Sequence, residues 1–292
     1  MFQPQRRALR HMLQGDICVT PASVFDPISA RIAKDLGFEL GLIGGSSLAL
    51  ALLGAPDMIL VTATEVADQA RRICHAADLP ILLDADHGFG NALNVIHTVQ
   101  ALETAGVAGL TIEDTLLPVP FGAAAGKSGL TSVEEGVGKI RAALSARRDS
   151  DLVVVGRTSA PQLSSLEDAI TRLRAYEAVG ADALMLVGLR TRRELQAVAA
   201  ETRLPLLLGG VGPELAEAGD LASSRVRVLL PGHAPILAAV QAVQDALQAM
   251  RSGTPAKAVP RQASDALISR VTRRPAYEEW LEQFMQPDER PI

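Results

Sequence analysis

Eight short apolar runs punctuate the chain: Ile17 to Thr20, Leu40 to Ile43, Pro80 to Leu83, Gly109 to Ile112, Leu152 to Val155, Ala183 to Val187, Leu204 to Leu208 and Val226 to Leu230. Continuous apolar residues bounded by turn formers suit parallel strands covered on both faces. Between most of them lie segments with helical periodicity, namely Thr64 to Ala77, Asn91 to Ala105, Val133 to Ala146, Leu166 to Val179 and Thr191 to Ala200. Several of these close on a glycine, such as Gly106 and Gly180, the residue that ends a helix without a Cβ penalty. Strand and helix alternating in this way predict an α/β protein, specifically a (β/α)₈ barrel. An open doubly wound sheet is the competing arrangement. Against it, no G-x-G-x-x-G loop follows the first run, and polar residues end nearly every run rather than lining one crevice.

No low-complexity linker divides the chain, so residues 1–292 are read as a single barrel domain with 251–292 as a C-terminal helical extension. Pro235 to Met250, Ser264 to Val271 and Tyr277 to Met285 are the helical stretches after the last run. With aromatics at only 3% of the chain, the cluster of Tyr277, Trp280 and Phe284 predicts packing against the barrel or against another subunit. Met1 to Leu13 mixes arginine with apolar residues and predicts a short amphipathic helix.

A formal net charge of -5 with both signs interspersed argues against nucleic acid and points to a small-molecule partner. No stretch is long and apolar enough for a membrane, and the N-terminus lacks the apolar core of a signal peptide. Two cysteines, Cys18 and Cys74, make no disulfide framework, so a reducing cytoplasm is the expected setting.

In a barrel, the loops after the strands share one face, and the polar residues ending the runs form a coherent set. Asp84 and Asp86 follow the third run at i, i+2 spacing, which points both side chains to one face. Like charges brought together cost free energy unless a cation or donors compensate, and oxygen ligands favour Mg²⁺ or Mn²⁺ over zinc. In the competing reading one aspartate caps the next helix and the other is solvated. The fourth run ends in Glu113 and Asp114, the fifth in Arg157 and the eighth in His233. Gly44-Gly45-Ser46-Ser47 ends the second, where glycine backbone and serine hydroxyls can approach an anion. Acids facing one arginine suit a metal plus an anionic substrate; an ion pair between Arg157 and Glu113 is the alternative. Pro118 to Ser132, rich in small residues, is long for an α/β loop and reads as a lid, with a merely permissive surface loop as the alternative. Ala125-Gly126-Lys127-Ser128 within it lacks the first glycine of a phosphate loop.

Asp84-Ala85-Asp86-His87-Gly88-Phe89-Gly90, Ile112-Glu113-Asp114, Gly156-Arg157-Thr158 and the Gly44-Gly45-Ser46 turn resemble the isocitrate lyase and phosphoenolpyruvate mutase superfamily. That resemblance implies a (β/α)₈ barrel acting on 2-oxo or 2-hydroxy acids through enolate-like intermediates. It also implies a Mg²⁺ site, with Mn²⁺ as substitute, in which Asp86 is the nearest ligand and Asp57, Asp84 and Glu113 act through water. A C-terminal helix exchanged between subunits of a tetramer, a dimer of dimers, is implied as well. No cysteine stands in the loop where the superfamily's lyases carry one, and the Lys/Thr/Asn-rich lid of the mutases and phosphonopyruvate hydrolases is not evident. Ala22-Ser23-Val24-Phe25-Asp26-Pro27, Glu113-Asp114-Thr115-Leu116-Leu117-Pro118, Val133-Glu134-Glu135-Gly136-Val137-Gly138-Lys139-Ile140 and Gly232-His233 instead resemble the oxaloacetate decarboxylase branch. One residue departs: that branch is expected to carry a tyrosine near Val211.

The resemblance therefore implies a carboxy-lyase that turns oxaloacetate into pyruvate and CO₂. Gly45, Ser46 and Ser47 would hold the C1 carboxylate, with Asp84 also at the substrate. Arg157 and His233 would position the C4 carboxylate, and His233 or a water it holds would protonate the enolate. Cleavage or hydrolysis of another 2-oxo or 2-hydroxy acid, such as a substituted malate, methylisocitrate or phosphonopyruvate, is the alternative within enzymes. A barrel that binds a metabolite without turnover is the alternative outside them.

Overall fold

The structure is a computed structural model that describes residues 2–123 and 128–285. The strands are β1 (Ala22–Ser23), β2 (Gly41–Ile43), β3 (Ile81–Asp84), β4 (Gly109–Glu113), β5 (Val153–Thr158), β6 (Ala183–Val187), β7 (Leu206–Gly209) and β8 (Val226–Leu229). They pair in parallel in sequence order, each with the next. Val19 pairs in parallel with Val228 of β8, so the first segment meets the last strand and the α/β barrel is the fold.

The helices are α1 (Gln3–Gln14), α2 (Pro27–Asp35), α3 (Gly45–Leu48), α4 (Ala63–Ala76), α5 (Ala92–Ala105), α6 (Val133–Ala146), α7 (Ala160–Leu163), α8 (Leu166–Ala178), α9 (Arg192–Glu201), α10 (Pro213–Ala216), α11 (Ala234–Arg251), α12 (Asp265–Thr272) and α13 (Arg274–Phe284). Several start on the caps the sequence supplies. Thr62 with Glu65 closes a capping box on α4, Asn91 caps α5, and Ser132 caps α6. Neither Asp84 nor Asp86 is a helix cap, because Asn91 takes that role.

The first strand differs from the expectation of Ile17 to Thr20. Pro21 has no N–H to give a ladder, so the segment splits around it. Before it, Val19 bonds to β8 through Val19 N–H to Arg227 O at 2.9 Å; after it, Ala22 N–H bonds to Leu40 O at 2.9 Å. Ile17 is left 68% exposed. The fourth and fifth strands also run further than their apolar cores. Glu113 pairs with Arg157 in register, and Thr158 with Leu186.

Alternation along the strands sorts side chains into two layers. Leu42, Leu82, Val153, Val155, Ala183, Met185, Leu207 and Val228 fill the barrel interior, joined from below by Leu9 and Leu13 of α1. Ile81, Leu83, Leu110, Ile112, Val154 and Leu184 face the helices. In the same register Asp84, Glu113 and Arg157 sit two residues on from inward positions, so the interior layer continues upward as charge.

The chain divides into two compact units, residues 1–236 and 237–292. Within the second, Tyr277 and Trp280 meet edge to face at 5.2 Å between ring centroids. Leu237, Val240, Val243, Leu247 and Met250 are exposed at helical spacing along α11, as are Tyr277, Trp280, Leu281 and Phe284 along α13. Among the described residues no helix is long and apolar enough to cross a membrane.

Candidate active site

The charged layer is centred on Arg157. Its Nη1 donates to Asp84 Oδ2 and its Nη2 lies 3.1 Å from Glu113 Oε2, so the Arg157–Glu113 pair that competed with a substrate role is present. Burial works against the guanidinium's charge but is outweighed by Asp84 and Glu113, and its pKa is raised. Asp84 is held from further sides, its Oδ1 accepting from Thr111 Oγ1 at 2.9 Å and from Asp86 N–H at 3.2 Å. Burial would raise its pKa; the Arg157 pair and these bonds win, and it is lowered. Glu113, only 4% exposed, is raised by burial in spite of Arg157.

Asp86 is different. It sits in a left-handed backbone conformation, φ 46°, just beyond β3. Its carboxylate has no hydrogen-bond or ion-pair partner among the described residues. Burial first, then Asp84 and Glu113, push its pKa well above the usual carboxylate range. Asp57, on the loop after β2, is raised by burial and by Asp84. Asp57, Asp84, Asp86 and Glu113 line one mouth cavity of about 820 Å³ together with Arg157. Adjoining it, a cavity of about 200 Å³ is lined by the polar Asp57, Asp84, Arg157, Ser46 and His233 and by the apolar Leu42, Leu82, Met185, Val187 and Leu230.

Two glycines let the second loop approach this layer. A Cβ on Gly45 would stand 3.0 Å from Asp86 Oδ1, and one on Gly44 would collide with the His233 ring. Ser46 lines the smaller cavity. Ser47 does not offer its hydroxyl: it is fully buried and closes the start of α3 by donating to Gly44 O at 2.8 Å. His233, beyond β8, is fixed by Ser23 of β1, with Oγ 2.7 Å from Nδ1, which leaves Nε2 on the Gly44 side. Burial holds His233 below the usual histidine value, against Asp84 and Asp57, so the neutral ring prevails at neutral pH.

Asp114, adjacent to Glu113, points the other way. It is buried against the outer helices, accepting from Tyr176 Oη at 2.7 Å and pairing with Arg172 at 3.1 Å. Val211 also packs on the helix side, and it is Gly210 that lines the smaller cavity where a tyrosine was expected nearby. Residues 124–127, the middle of the expected lid, lie outside the described residues. The ends of that loop are clipped by a bridge between Thr115 and Leu130. Ser23 and Thr111 had no assigned role in the sequence; their signal was position, an inward slot beside a charged neighbour.

The donor set is all oxygen, and the Asp86 carboxylate has no ion-pair partner among the described residues, which suits a hard divalent cation such as Mg²⁺. Among the described residues no three His, Cys, Asp or Glu side chains are grouped to hold a metal unaided. Such an arrangement fits an ion that takes few protein ligands and keeps its waters.

A family model for phosphoenolpyruvate phosphomutase matches residues 9–251. The chain belongs to the phosphoenolpyruvate phosphomutase family. Curated relatives of this family member include an oxaloacetate decarboxylase of Bradyrhizobium diazoefficiens, 58% identical over 93% of this chain and 94% of the relative. An oxaloacetate decarboxylase of Rhodopseudomonas palustris is 57% identical over the same shares. Among solved structures, oxaloacetate acetylhydrolase with the inhibitor 3,3-difluorooxalacetate superposes with a TM-score of 0.84 at 28% identity, covering 96% of this chain and 97% of the other. Phosphonopyruvate hydrolase, solved with oxalate and Mg²⁺, superposes with a TM-score of 0.84 at 27% identity, covering 97% and 99%.

Proposed function

We propose that this protein decarboxylates oxaloacetate to pyruvate and CO₂ with the help of a divalent cation, Mg²⁺ or Mn²⁺. The unpaired Asp86 carboxylate at the barrel mouth carries this reading, and the close relatives named oxaloacetate decarboxylase support it. Asp86 would hold the cation directly, with Asp57, Asp84 and Glu113 acting through water. The bound cation supplies Lewis acidity, a positive charge beside the C2 oxygen where electron density collects as the C3–C4 bond breaks.

The remaining work falls to the chain. Ser46 and the backbone around Gly45 orient the C1 carboxylate from the floor of the mouth. Arg157 keeps Asp84 ionised and fixes Glu113 in place. Neutral His233, held by Ser23, presents Nε2 to the C4 carboxylate and turns the bond to be broken into line with the carbonyl π-system. A neutral donor suits this position. The departing carboxylate loses its charge as it becomes CO₂, so a cation there would stabilise the ground state more than the transition state. The electron pair left at C3 takes a proton from a water held at His233, and solvent returns a proton to the hydroxide left there, which gives pyruvate with the net uptake of one proton.

A second reading rests on the apolar lining of the smaller cavity, Leu42, Leu82, Met185, Val187 and Leu230, with Gly210 among the lining residues. That space would accept a substituent on C3, so a substituted 2-oxo or 2-hydroxy diacid is the competing substrate. We further read the exposed apolar stripes of α11 and α13 as covered by other copies of the chain in a homo-oligomer, a tetramer in its full form. The protein is read as cytoplasmic, which accords with its free cysteines, Cys18 and Cys74.

Incubation of the purified protein with Mg²⁺ and a panel of 2-oxo acids tests the function. Pyruvate formation from oxaloacetate well above the metal-only rate is expected. Turnover of a substituted acid with oxaloacetate loss at background would transfer the assignment to the second reading. Sedimentation gives the oligomer.

A further inference from the structure

The loop that carries Asp86 is strained. Asp86 has φ 46°, Gly88 81°, Phe89 61° and Gly90 147°, all in a region that side chains disfavour. A non-glycine residue is kept there only where its surroundings over-determine it. The surroundings are on hand. Asp86 O accepts from Glu113 N–H at 2.9 Å, Gly88 N–H donates to Ala85 O at 2.9 Å, and Gly88 O accepts from Thr98 Oγ1 of α5 at 3.1 Å. Between Asp86 and Gly88, the His87 carbonyl accepts from Lys139 Nζ of α6 at 3.1 Å.

Lys139 is out of place by ordinary standards. It is 3% exposed, and an ammonium is almost never buried this deeply without a close carboxylate. Its nearest acid is the exposed Glu135, at 4.0 Å. Lys139 is therefore held inside the fold chiefly on a backbone carbonyl one residue from Asp86. Nothing in the proposed reaction uses it.

Building on the proposed cation site, we propose that Lys139 is a positioning residue, which clamps the His87 carbonyl and so keeps Asp86 in the left-handed conformation that aims its carboxylate into the barrel mouth. The sign of its effect separates this role from simple electrostatics. A positive charge near a cation site repels the cation, so by Coulomb's law alone a neutral residue at position 139 would tighten divalent-cation binding. A clamp predicts the reverse, because a released loop lets the carboxylate leave its aim.

The test is Mn²⁺ affinity, read from the free-ion electron paramagnetic resonance signal with no substrate present, for the wild type, Lys139→Met and Lys139→Gln. Lys139→Met, which keeps the apolar stem, is expected to bind Mn²⁺ about tenfold or more weakly, the worth of one hydrogen bond from a charged donor. Lys139→Gln, neutral but still a donor, should fall between Lys139→Met and the wild type; if Lys139→Met does not fold, Lys139→Gln decides alone. Thr98→Val, which changes no charge, should weaken Mn²⁺ in the same direction by loosening the same loop. Neutral Lys139 variants that bind Mn²⁺ as tightly as the wild type, or more tightly, overturn the clamp. Failure of the cation reading itself is distinct, since it shows in the wild type as an absence of Mn²⁺ binding.

Discussion

The two ends of the barrel interior handle charge in opposite ways. At the lower end α1 lays Arg6, Arg7 and Arg10 across the loops that precede the strands, and each meets an acid: Asp149 at 2.7 Å, Asp151 at 2.9 Å and Asp182 at 2.9 Å. Arg6 also donates to Val107 O and Glu103 O, and Arg10 to Ser150 O, Asp151 O and Leu152 O. At the upper end Asp57, Asp84, Asp86 and Glu113 face one guanidinium, which pairs with Asp84 and Glu113 and leaves Asp57 and Asp86 out of its pairs. One end is neutralised and serves the fold. The other gathers acids whose ionisation costs stability unless something compensates it, and the proposed cation would supply that compensation.

Several substitutions would break or sharpen that contrast. Asp86→Asn is expected to lower kcat/KM for oxaloacetate by on the order of 10³, the worth of several kcal/mol of lost transition-state stabilisation. Its thermal midpoint should stay level or rise, since a buried carboxylate beside like charges is gone. A fall in stability with activity kept would make the mouth resemble the base. Arg6→Met should do the opposite, costing about 2 to 3 kcal/mol in denaturant unfolding while kcat of the folded enzyme is unchanged.

Two smaller effects refine the picture. Burial would raise the Asp149 pKa, but its bonds to Arg6 and to Asp151 N–H carry it below the ordinary 3.8. Its contribution is therefore full above that value and is lost as pH falls through the lower, folded one. Asp149→Asn should cost about 1 kcal/mol at pH 7, and unfolding curves of mutant and wild type should converge in acid. Ser23→Ala frees the His233 ring and is expected to lower kcat about threefold to tenfold with Mn²⁺ affinity unchanged. A parallel loss of Mn²⁺ binding would put Ser23 in the cation site instead.

Much of this was legible in the chain. Strand–helix alternation predicted the barrel, strand-end position picked out Asp84, Asp86, Glu113, Arg157 and His233, and family resemblance added Asp57; all six line two cavities that share Asp57, Asp84 and Arg157. What sequence could not resolve was direction. Adjacent strand residues face opposite layers, so Glu113 and Asp114 read alike as letters while one enters the mouth and the other joins Arg172 and Tyr176 outside. Nor could it tell whether Arg157 meets substrate or acids, because its register against Glu113 depends on β5 running on past its apolar part. Ser47 looked like a ligand hydroxyl for the same reason; its use in the α3 cap depends on the turn at Gly44. Pro21 was the readable sign that the first strand would split, since a missing N–H interrupts any ladder.

Anomalous diffraction from crystals grown with Mn²⁺ and oxalate tests the central claim most directly. The account predicts a single strong peak in the barrel mouth, about 2.1 Å from an Asp86 carboxylate oxygen, with Asp57, Asp84 and Glu113 reached through waters. A mouth without a peak, or a peak held elsewhere with Asp86 turned away, would contradict it.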